Sequence, residues 1–190
     1  MIYFTSDTHF GHNRDFIFKP RGFEDIVSHD RKIIDNWNSI VTDEDTVYVL
    51  GDVMLKDNEN GVRCWNQLKG NKKIILGNHD SNPRIEALSS CPNTEILGYA
   101  DMLDYGNHHF FLSHYPSLTA NYDDNKPKKK HVYNVCGHIH ASDRFCDMDK
   151  GVIYHVDLDC HNMTPVSIEE VISDIDGWLK EHGRTFITRT

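Results

Sequence analysis

What this chain of 190 residues has little of already narrows its class. No segment approaches the roughly 20 consecutive apolar residues that a membrane span needs, and the N-terminus shows no basic stretch followed by a long apolar one. The five cysteines form no C-x-x-C pair, and their odd number makes a poor disulfide framework. We therefore expect reduced thiols and a cytoplasmic protein that has no membrane partner.

The chain also lacks a surplus of positive charge. It has 20 Lys and Arg against 29 Asp and Glu, which gives a formal net charge of −9 at pH 7. Proteins that bind nucleic acid usually carry a basic patch, so this balance disfavours nucleic acid as a partner. It does not disfavour a small anionic substrate, because a local positive charge can attract such an anion.

Three amphipathic patterns predict helices. The longest covers residues 24–41, and a shorter one ends at Gly70, because a glycine commonly follows the last helical residue. A third helix is predicted over about residues 167–182, where Ser167 and Glu170 have the spacing of a capping box.

Strand patterns alternate with these helices in the first half of the chain and dominate the second half. Segments 95–97, 102–105 and 109–113 are predicted to be consecutive strands joined by glycine-containing turns. This order favours sheets flanked by helices. The absence of internal repeats and of a linker predicts a single domain over residues 1–190.

Polar residues of metal-ligand type follow five short apolar runs. Runs of this length that are bounded by Gly or Ser predict buried strands, so the polar groups should gather at one edge of a sheet. Carboxylates and imidazoles gathered in this way hold divalent transition metals. The residues that follow the runs are Asp7 and His9, then Asp52, then Asn78, His79 and Asp80, then His114, and finally His138 and His140.

The spacing within these clusters strengthens the metal hypothesis. Asp7 and His9 are two residues apart, as are His138 and His140, so each pair projects to one side of an extended segment. A glycine that permits a turn and a close backbone approach precedes three clusters, at Gly51, Gly77 and Gly137. The alternative is that these groups only cap strand ends. It could explain any single cluster, but it is a poor explanation of all five in order.

At these positions the chain resembles the calcineurin-like metallophosphoesterase superfamily, in its small single-domain bacterial and phage branch. The motifs of that family, DxH, GD, GNHD or GNHE, a later His and GHxH, all have counterparts between residues 7 and 140. The resemblance covers residues 1 to about 165. It implies a four-layer αββα sandwich of two mixed β-sheets flanked by helices.

The resemblance also implies a centre of two divalent transition-metal ions and assigns their ligands. The first ion would be held by Asp7, His9 and His140, and the second by Asn78, His114 and His138, with Asp52 bridging both. Such a centre lowers the pKa of bound water and gives a hydroxide that attacks a phosphoryl group in line. The ligand set favours Mn²⁺ in our interpretation and tolerates Fe, Zn, Ni or Co.

His79 and Asp80 complete the motif set, and the resemblance assigns neither of them as a metal ligand. By resemblance His79 protonates the leaving oxygen, and Asp80 orients and charges its imidazole. The alternative is that His79 only supports the loop geometry.

A few other residues are weaker candidates. His12 could contact substrate or pack within its loop, and Arg14 is either a phosphate clamp or a solvated side chain. Asp157, Asp159 and His161 mimic the motif spacing, but strand-end hydrogen bonding is the preferred interpretation.

The lysines of segment 128–130 also have two interpretations. They form either a solvated turn or an electrostatic lip at the site, and the solvated turn is preferred because short charged runs are usually exposed.

The sequence therefore predicts a metal-dependent phosphoric ester hydrolase, with a phosphodiester favoured over a phosphomonoester. One alternative is a phosphomonoesterase acting on a nucleotide, a sugar phosphate or a phosphoprotein. Another, of a different class, is a non-catalytic metal-binding scaffold of the same fold. The presence of His79 and of every ligand favours the enzyme.

Overall fold

The computed structural model describes residues 1–119, 131–146 and 151–182. The predicted lysine loop at 128–130 therefore lies outside the described residues.

Five strands form the first sheet. From one edge to the other they are β4 (Thr94–Gly98), β3 (Asn71–Ile75), β2 (Thr46–Leu50), β1 (Ile2–Thr5) and β9 (Val166–Ser167). Strands β1 to β4 run parallel to one another, whereas β9 is antiparallel to β1. Because parallel neighbours end at the same edge, the loops after β1, β2 and β3 meet there.

The second sheet is also mixed. Its four strands, in spatial order, are β5 (Ala100–Tyr105), β6 (His108–Ser113), β7 (Val132–Cys136) and β8 (Ile153–His155). The first two form an antiparallel hairpin, and the remaining pairs are parallel. The predicted strands at 95–97 and 102–105 therefore belong to different sheets, and the chain crosses between them just after Gly98, whose φ is +95°.

Five helices are described: α1 (Asp15–Phe18), α2 (Ile26–Ile40), α3 (Asn58–Trp65), α4 (Asn82–Ser89) and α5 (Ile168–His182). The predicted helix at 24–41 is confirmed as α2, which begins where the Asp25 carboxylate accepts a hydrogen bond from the amide of Ser28. The helix expected to reach Gly70 ends earlier, at Trp65. The sequence did not predict α4, which has a single fully buried apolar side chain, Leu88.

The C-terminal helix follows its predicted bounds closely. The Ser167 hydroxyl accepts the amide hydrogen of Glu170 at 3.2 Å, as a capping serine does. The carboxylate of Glu170 instead forms an ion pair with Arg144 at 2.9 Å, so only one half of the capping box is present.

Two apolar clusters hold these layers together. On one face of the first sheet, Val47, Val49 and Ile74 pack with the buried tryptophans Trp37 of α2 and Trp65 of α3. The second cluster contains side chains from both sheets and from α5: Phe4, Leu50, Ile75, Phe110, Leu112, Val135, Tyr154, Val171 and Ile175. Two mixed sheets with flanking helices confirm the predicted fold class. No helix of the described residues has the length and apolar character to cross a membrane.

Candidate metal centre

Five residues of the predicted ligand set have a left-handed backbone. Their φ angles lie between 49° and 79°, at Asp7, His9, Asp52, His138 and His140. Non-glycine residues rarely adopt this region, and each such residue costs on the order of 1–3 kcal/mol unless its surroundings impose it. Strain concentrated in the loops that follow β1, β2 and β7 is typical of a functional site.

Glycines allow these loops to approach one another. A Cβ on Gly77 would lie 2.8 Å from the backbone nitrogen of Asp52 and would overlap its carboxylate. A Cβ on Gly137 would likewise overlap the Asp7 carboxylate, and one on Gly51 the His114 ring. All three predicted glycines are therefore required by close approach to a ligand residue.

The first group of ligand atoms comes from the loops after β1 and β7. His9 Nε2 and His140 Nε2 are 3.1 Å apart, and Asp7 Oδ1 lies 3.8 Å and 3.7 Å from them, respectively. Ligand atoms that bind one ion at about 2.1 Å are themselves roughly 3.0–3.4 Å apart, so little adjustment is needed to admit a cation.

The second group is equally close. His114 Nε2 lies 2.9 Å from Asn78 Oδ1, 3.2 Å from His138 Nδ1 and 3.5 Å from Asp52 Oδ2. The same oxygen of Asp52 is 3.9 Å from His9 Nε2 in the first group. Asp52 Oδ2 therefore lies within 4 Å of a histidine nitrogen in each group.

Asp7 provides a test of whether a cation fits. Its Oδ2 accepts the amide hydrogen of His138 at 2.9 Å, whereas its Oδ1 is buried and has no hydrogen-bond partner in the described residues. Burial, together with the nearby carboxylates of Asp157 and Asp52, raises the pKa of Asp7 well above its ordinary value. A cation beside Oδ1 would give this buried oxygen a partner and would favour the ionised carboxylate, so the donor set fits a metal ion.

The histidines are arranged for ligation as well. The His114 Nδ1–H donates to the Leu50 carbonyl at 2.8 Å, which leaves the Nε2 lone pair free for the second group. Burial first, and then its position close to other histidines and to Arg21, lowers the pKa of His9 well below its ordinary value. A neutral imidazole is the form that binds metals.

A comparison with known protein families agrees with this geometry. The calcineurin-like phosphoesterase superfamily domain matches residues 1–156. The chain belongs to this family. The family is metal-dependent, and the ligand atoms of Asp7, His9 and His140 form one candidate site, while those of Asp7, Asp52 and His114 form another.

Proteins of similar sequence occur in an archaeon and in a phage, and a bacterial protein has a similar fold. The uncharacterized protein MJ1445 of Methanocaldococcus jannaschii is 29% identical over 182 residues, 92% of this chain and 91% of that protein. The Gene 66 protein of Mycobacterium phage D29 is 27% identical over an alignment of 203 residues, which covers 94% of this chain and 98% of that protein. The crystal structure of the protein of unknown function AQ665 from Aquifex aeolicus matches with a TM-score of 0.71 at 24% identity, covering 91% and 98%. This structural likeness shows the shared fold.

In this chain the hydrogen bond predicted between His79 and Asp80 is not formed. The Asp80 carboxylate accepts hydrogen bonds from the backbone amides of Gly77 (2.8 Å), Asp52 (2.9 Å) and Val53 (3.3 Å). Both of its oxygens bind backbone amides of the loops after β2 and β3, and no hydrogen bond joins Asp80 to the imidazole of His79 in the described structure. The ring of His79 is 42% exposed instead, with Nε2 3.9 Å from Asp52 Oδ2.

A cavity of about 260 Å³ opens beside the ligand atoms. Its lining residues are His9, His12, Phe16, Ile17, Asp52, Asn78, His79, His138 and His140. His12, a weak sequence candidate, is therefore in the wall, and Phe16, which the sequence analysis missed, is 69% exposed there. Arg14 is exposed and is not among the lining residues.

The sequence analysis also missed Arg21, whose guanidinium is almost fully buried beside the first ligand group. It binds the carboxylate of Asp159, which in turn lies 3.1 Å from His140 Nδ1. Nothing in the sequence around Arg21 distinguishes it from a surface arginine. Asp157 accepts the amide hydrogen of His140 at 2.9 Å, which is the hydrogen-bonding role preferred for it.

Proposed function

We infer that this chain is a binuclear metal-dependent phosphoesterase that hydrolyses a phosphodiester. The observation that supports this most is the position of Asp52 Oδ2, 3.9 Å from His9 Nε2 of the first group and 3.5 Å from His114 Nε2 of the second. A carboxylate shared in this way suits two ions roughly 3.5–4 Å apart.

The charges of the ligands favour an anionic substrate. Of the seven proposed ligands, only Asp7 and Asp52 bring negative charge, so two divalent ions keep a positive surplus. When bound, the ions supply this charge and an activated water as the nucleophile. The mixture of carboxylate, amide and imidazole donors favours Mn²⁺ and tolerates Fe, Zn, Ni or Co.

His79 is proposed as the general acid. Its half-exposed ring lines the cavity, and it alone of the motif histidines is not needed as a ligand. Its Nε2 would hold the proton that passes to the leaving oxygen, a role commonly worth about 10²–10⁴-fold in rate. Asp80 acts on the loop that carries Asp52 rather than on this imidazole.

The cavity wall favours a diester over a monoester. Among the described residues that line it, none is lysine or arginine. A phosphomonoester carries a second negative charge near neutral pH, and no cationic side chain of this lining is available to bind it. The uncapped branch of the family that the chain resembles points the same way.

Another part of the cavity wall would contact the remainder of the substrate. His12 is 4% exposed and its Nδ1 has no hydrogen-bond partner in the described structure, while the exposed Phe16 ring packs edge-on against it. His12 Nδ1 is itself buried, so of these two side chains it is the exposed Phe16 that would offer an apolar face to one ester substituent.

Hydrolysis of bis-p-nitrophenyl phosphate and of p-nitrophenyl phosphate tests the proposal. Metal-stripped protein should be inactive, and titration with Mn²⁺ should restore turnover, mainly of the diester. Asp52→Asn should abolish this turnover, because a neutral amide is a poor bridge between two cations. Asp35→Asn, which removes an exposed carboxylate of α2 paired with Arg31, serves as the matched control and should stay active.

Two other results would redirect the assignment. Faster turnover of the monoester would establish the phosphomonoesterase, acting on a nucleotide, a sugar phosphate or a phosphoprotein. Binding of two ions without turnover of either ester, with any of the five metals, would establish the non-catalytic scaffold.

A further inference from the structure

A buried chain of hydrogen bonds runs from the first ligand group to the interior of the protein. It begins at His140 and continues through Asp159, Arg21 and His29 to Asp30. The Arg21 side chain is 2% exposed and that of His29 is fully buried. Such a chain is costly to bury unless every group is paired, and here each is.

Arg21 is the centre of this chain. Its Nε and Nη2 donate to the two oxygens of Asp159 at 2.9 Å and 2.7 Å, which is the bidentate geometry of a strong pair. Its Nη1 donates to His29 Nε2 at 2.9 Å. Nη2 also donates to the backbone carbonyl of Asp7 at 2.9 Å. Arg21 therefore binds the main chain of Asp7 and also the Asp159 carboxylate that contacts His140.

The hydrogens of Arg21 determine where the proton of His140 lies. Nη2 has two hydrogens, and its two nearest acceptors are Asp159 Oδ2 at 2.7 Å and the Asp7 carbonyl at 2.9 Å. None remains for His140 Nδ1, which lies 3.2 Å away. His140 Nδ1 therefore keeps its own proton and donates it to Asp159 Oδ2 at 3.1 Å, which leaves the Nε2 lone pair facing His9 and Asp7.

The second ligand group is oriented by different means. There, His114 Nδ1 donates to the main-chain carbonyl of Leu50 at 2.8 Å. In the described structure neither Arg21 nor Asp159 forms a hydrogen bond or an ion pair with Asn78, His114 or His138. A replacement of Asp159 therefore leaves the direct contacts of the second group in place.

We propose that Arg21 and Asp159 are positioning residues that give the first metal site its affinity. They fix the tautomer and the orientation of His140 and hold the backbone of Asp7. This inference rests on the proposed function only in taking His140 and Asp7 as ligands of the first ion.

The test measures metal affinity without any substrate. Titration calorimetry of the metal-stripped protein with Mn²⁺ should give two dissociation constants. Asp159→Asn removes the charge with little change of shape. It should raise the dissociation constant of the first site by about 10–100-fold and leave that of the second site unchanged. Arg21→Lys should do the same, because a lysine cannot bind both oxygens of Asp159 and the Asp7 carbonyl. Asn78→Ala removes a proposed ligand of the second ion and retains the first site. In this background Asp159→Asn should raise the single remaining dissociation constant.

A second measurement reads the tautomer in the absence of metal. Long-range ¹H–¹⁵N correlation spectra should show His140 protonated at Nδ1 in the native protein and as a mixture of tautomers in Asp159→Asn. His140→Gln identifies the signal. This readout would not move if Asp159 served only to support the fold.

Asp174→Asn is the matched control. Asp174 pairs with Arg144 at 2.7 Å and accepts from Tyr154 at 2.6 Å, without contact to any proposed ligand. It should lower the melting temperature without changing either dissociation constant. Native affinities in both Asp159→Asn and Arg21→Lys would overturn the proposal, as would equal weakening of both ions. Tight binding of two ions without turnover would refute the proposed function and leave this inference intact.

Discussion

The carboxylate of Asp80 holds the backbone of Asp52. Its Oδ2 accepts the amide hydrogen of Asp52 at 2.9 Å and that of Gly77 at 2.8 Å, so one oxygen joins the loop after β2 to the loop after β3. These two loops carry the proposed bridging ligand and the proposed general acid. Asp80 therefore contributes to the geometry of the candidate centre by fixing the backbone of these loops.

Asp80→Ala should lower the free energy of unfolding by about 1–3 kcal/mol, because buried amides lose their acceptor. It should also weaken metal binding, since Asp52 is no longer held. Chemical denaturation and Mn²⁺ titration measure the two effects. If Asp80 acted only on the His79 imidazole, stability and metal affinity would stay native and only the pH dependence of turnover would change.

His79→Ala should slow hydrolysis in a manner that depends on the leaving group. An alkyl ester needs its leaving oxygen protonated, so the loss should approach about 10²–10⁴-fold. p-Nitrophenolate leaves without a proton, so the loss on bis-p-nitrophenyl phosphate should be small. Steady-state kinetics on the two esters gives the comparison, with His182→Ala on the exposed end of α5 as control. An equal loss on both esters would show that His79 supports the loop and is not an acid.

Gly77→Ala should reduce turnover and Mn²⁺ affinity by more than about 10-fold, because the added Cβ meets the backbone nitrogen and carboxylate of Asp52. Gly177→Ala is the control, since its Cβ meets nothing within 4 Å. This second change lies within α5 and should stabilise the protein by about 0.5–1 kcal/mol. Thermal melting and metal titration of both variants separate the two effects. Native metal affinity in Gly77→Ala would contradict the close approach described above.

His12 should make the metal-free protein sensitive to mild acid. Burial, with a contribution from His79 and nearby cations, lowers the pKa of His12 to about 4 from an ordinary value of 6.5. As the pH falls from 6.5 towards 4, the unfolded chain binds a proton that the folded protein does not, so stability declines over this window.

Replacing His12 should reduce that sensitivity. His12→Gln and His12→Phe cannot bind the proton, so each should lose less unfolding free energy than the native protein between about pH 7 and pH 5, by on the order of 1 kcal/mol after solvent screening is considered. Denaturant titrations at the two pH values provide the measurement. Native pH dependence in both variants would show that His12 is not held neutral by the fold.

The sequence by itself determined the residues of the candidate centre and the strands that carry them. The five clusters follow buried strands whose apolar runs are visible locally, and the carboxyl ends of the parallel strands β1, β2 and β3 meet at one edge of the first sheet by geometry alone. The clusters after β6 and β7 belong to the second sheet, so the expectation of one edge of a single sheet was wrong, and the packing of the two sheets brings the clusters together. The same alternation predicted sheets flanked by helices, the family resemblance implied the four-layer arrangement, and Gly51, Gly77 and Gly137 marked the close approaches. The short helix α4 escaped prediction because its apolar pattern is weak, with only Leu88 fully buried.

Only the tertiary structure decided how these residues are supported. Asp80 is adjacent to His79 in sequence, yet its carboxylate binds amides from a loop 28 residues earlier in the chain. Arg21 and Asp159 are separated by 138 residues, and no periodicity links them. Hydrogen-bond partners of this kind depend on where the chain returns in space and on which lone pairs are still free. Local sequence patterns report burial and turns, but the orientation of His140 depends on contacts that exist only once both sheets have packed.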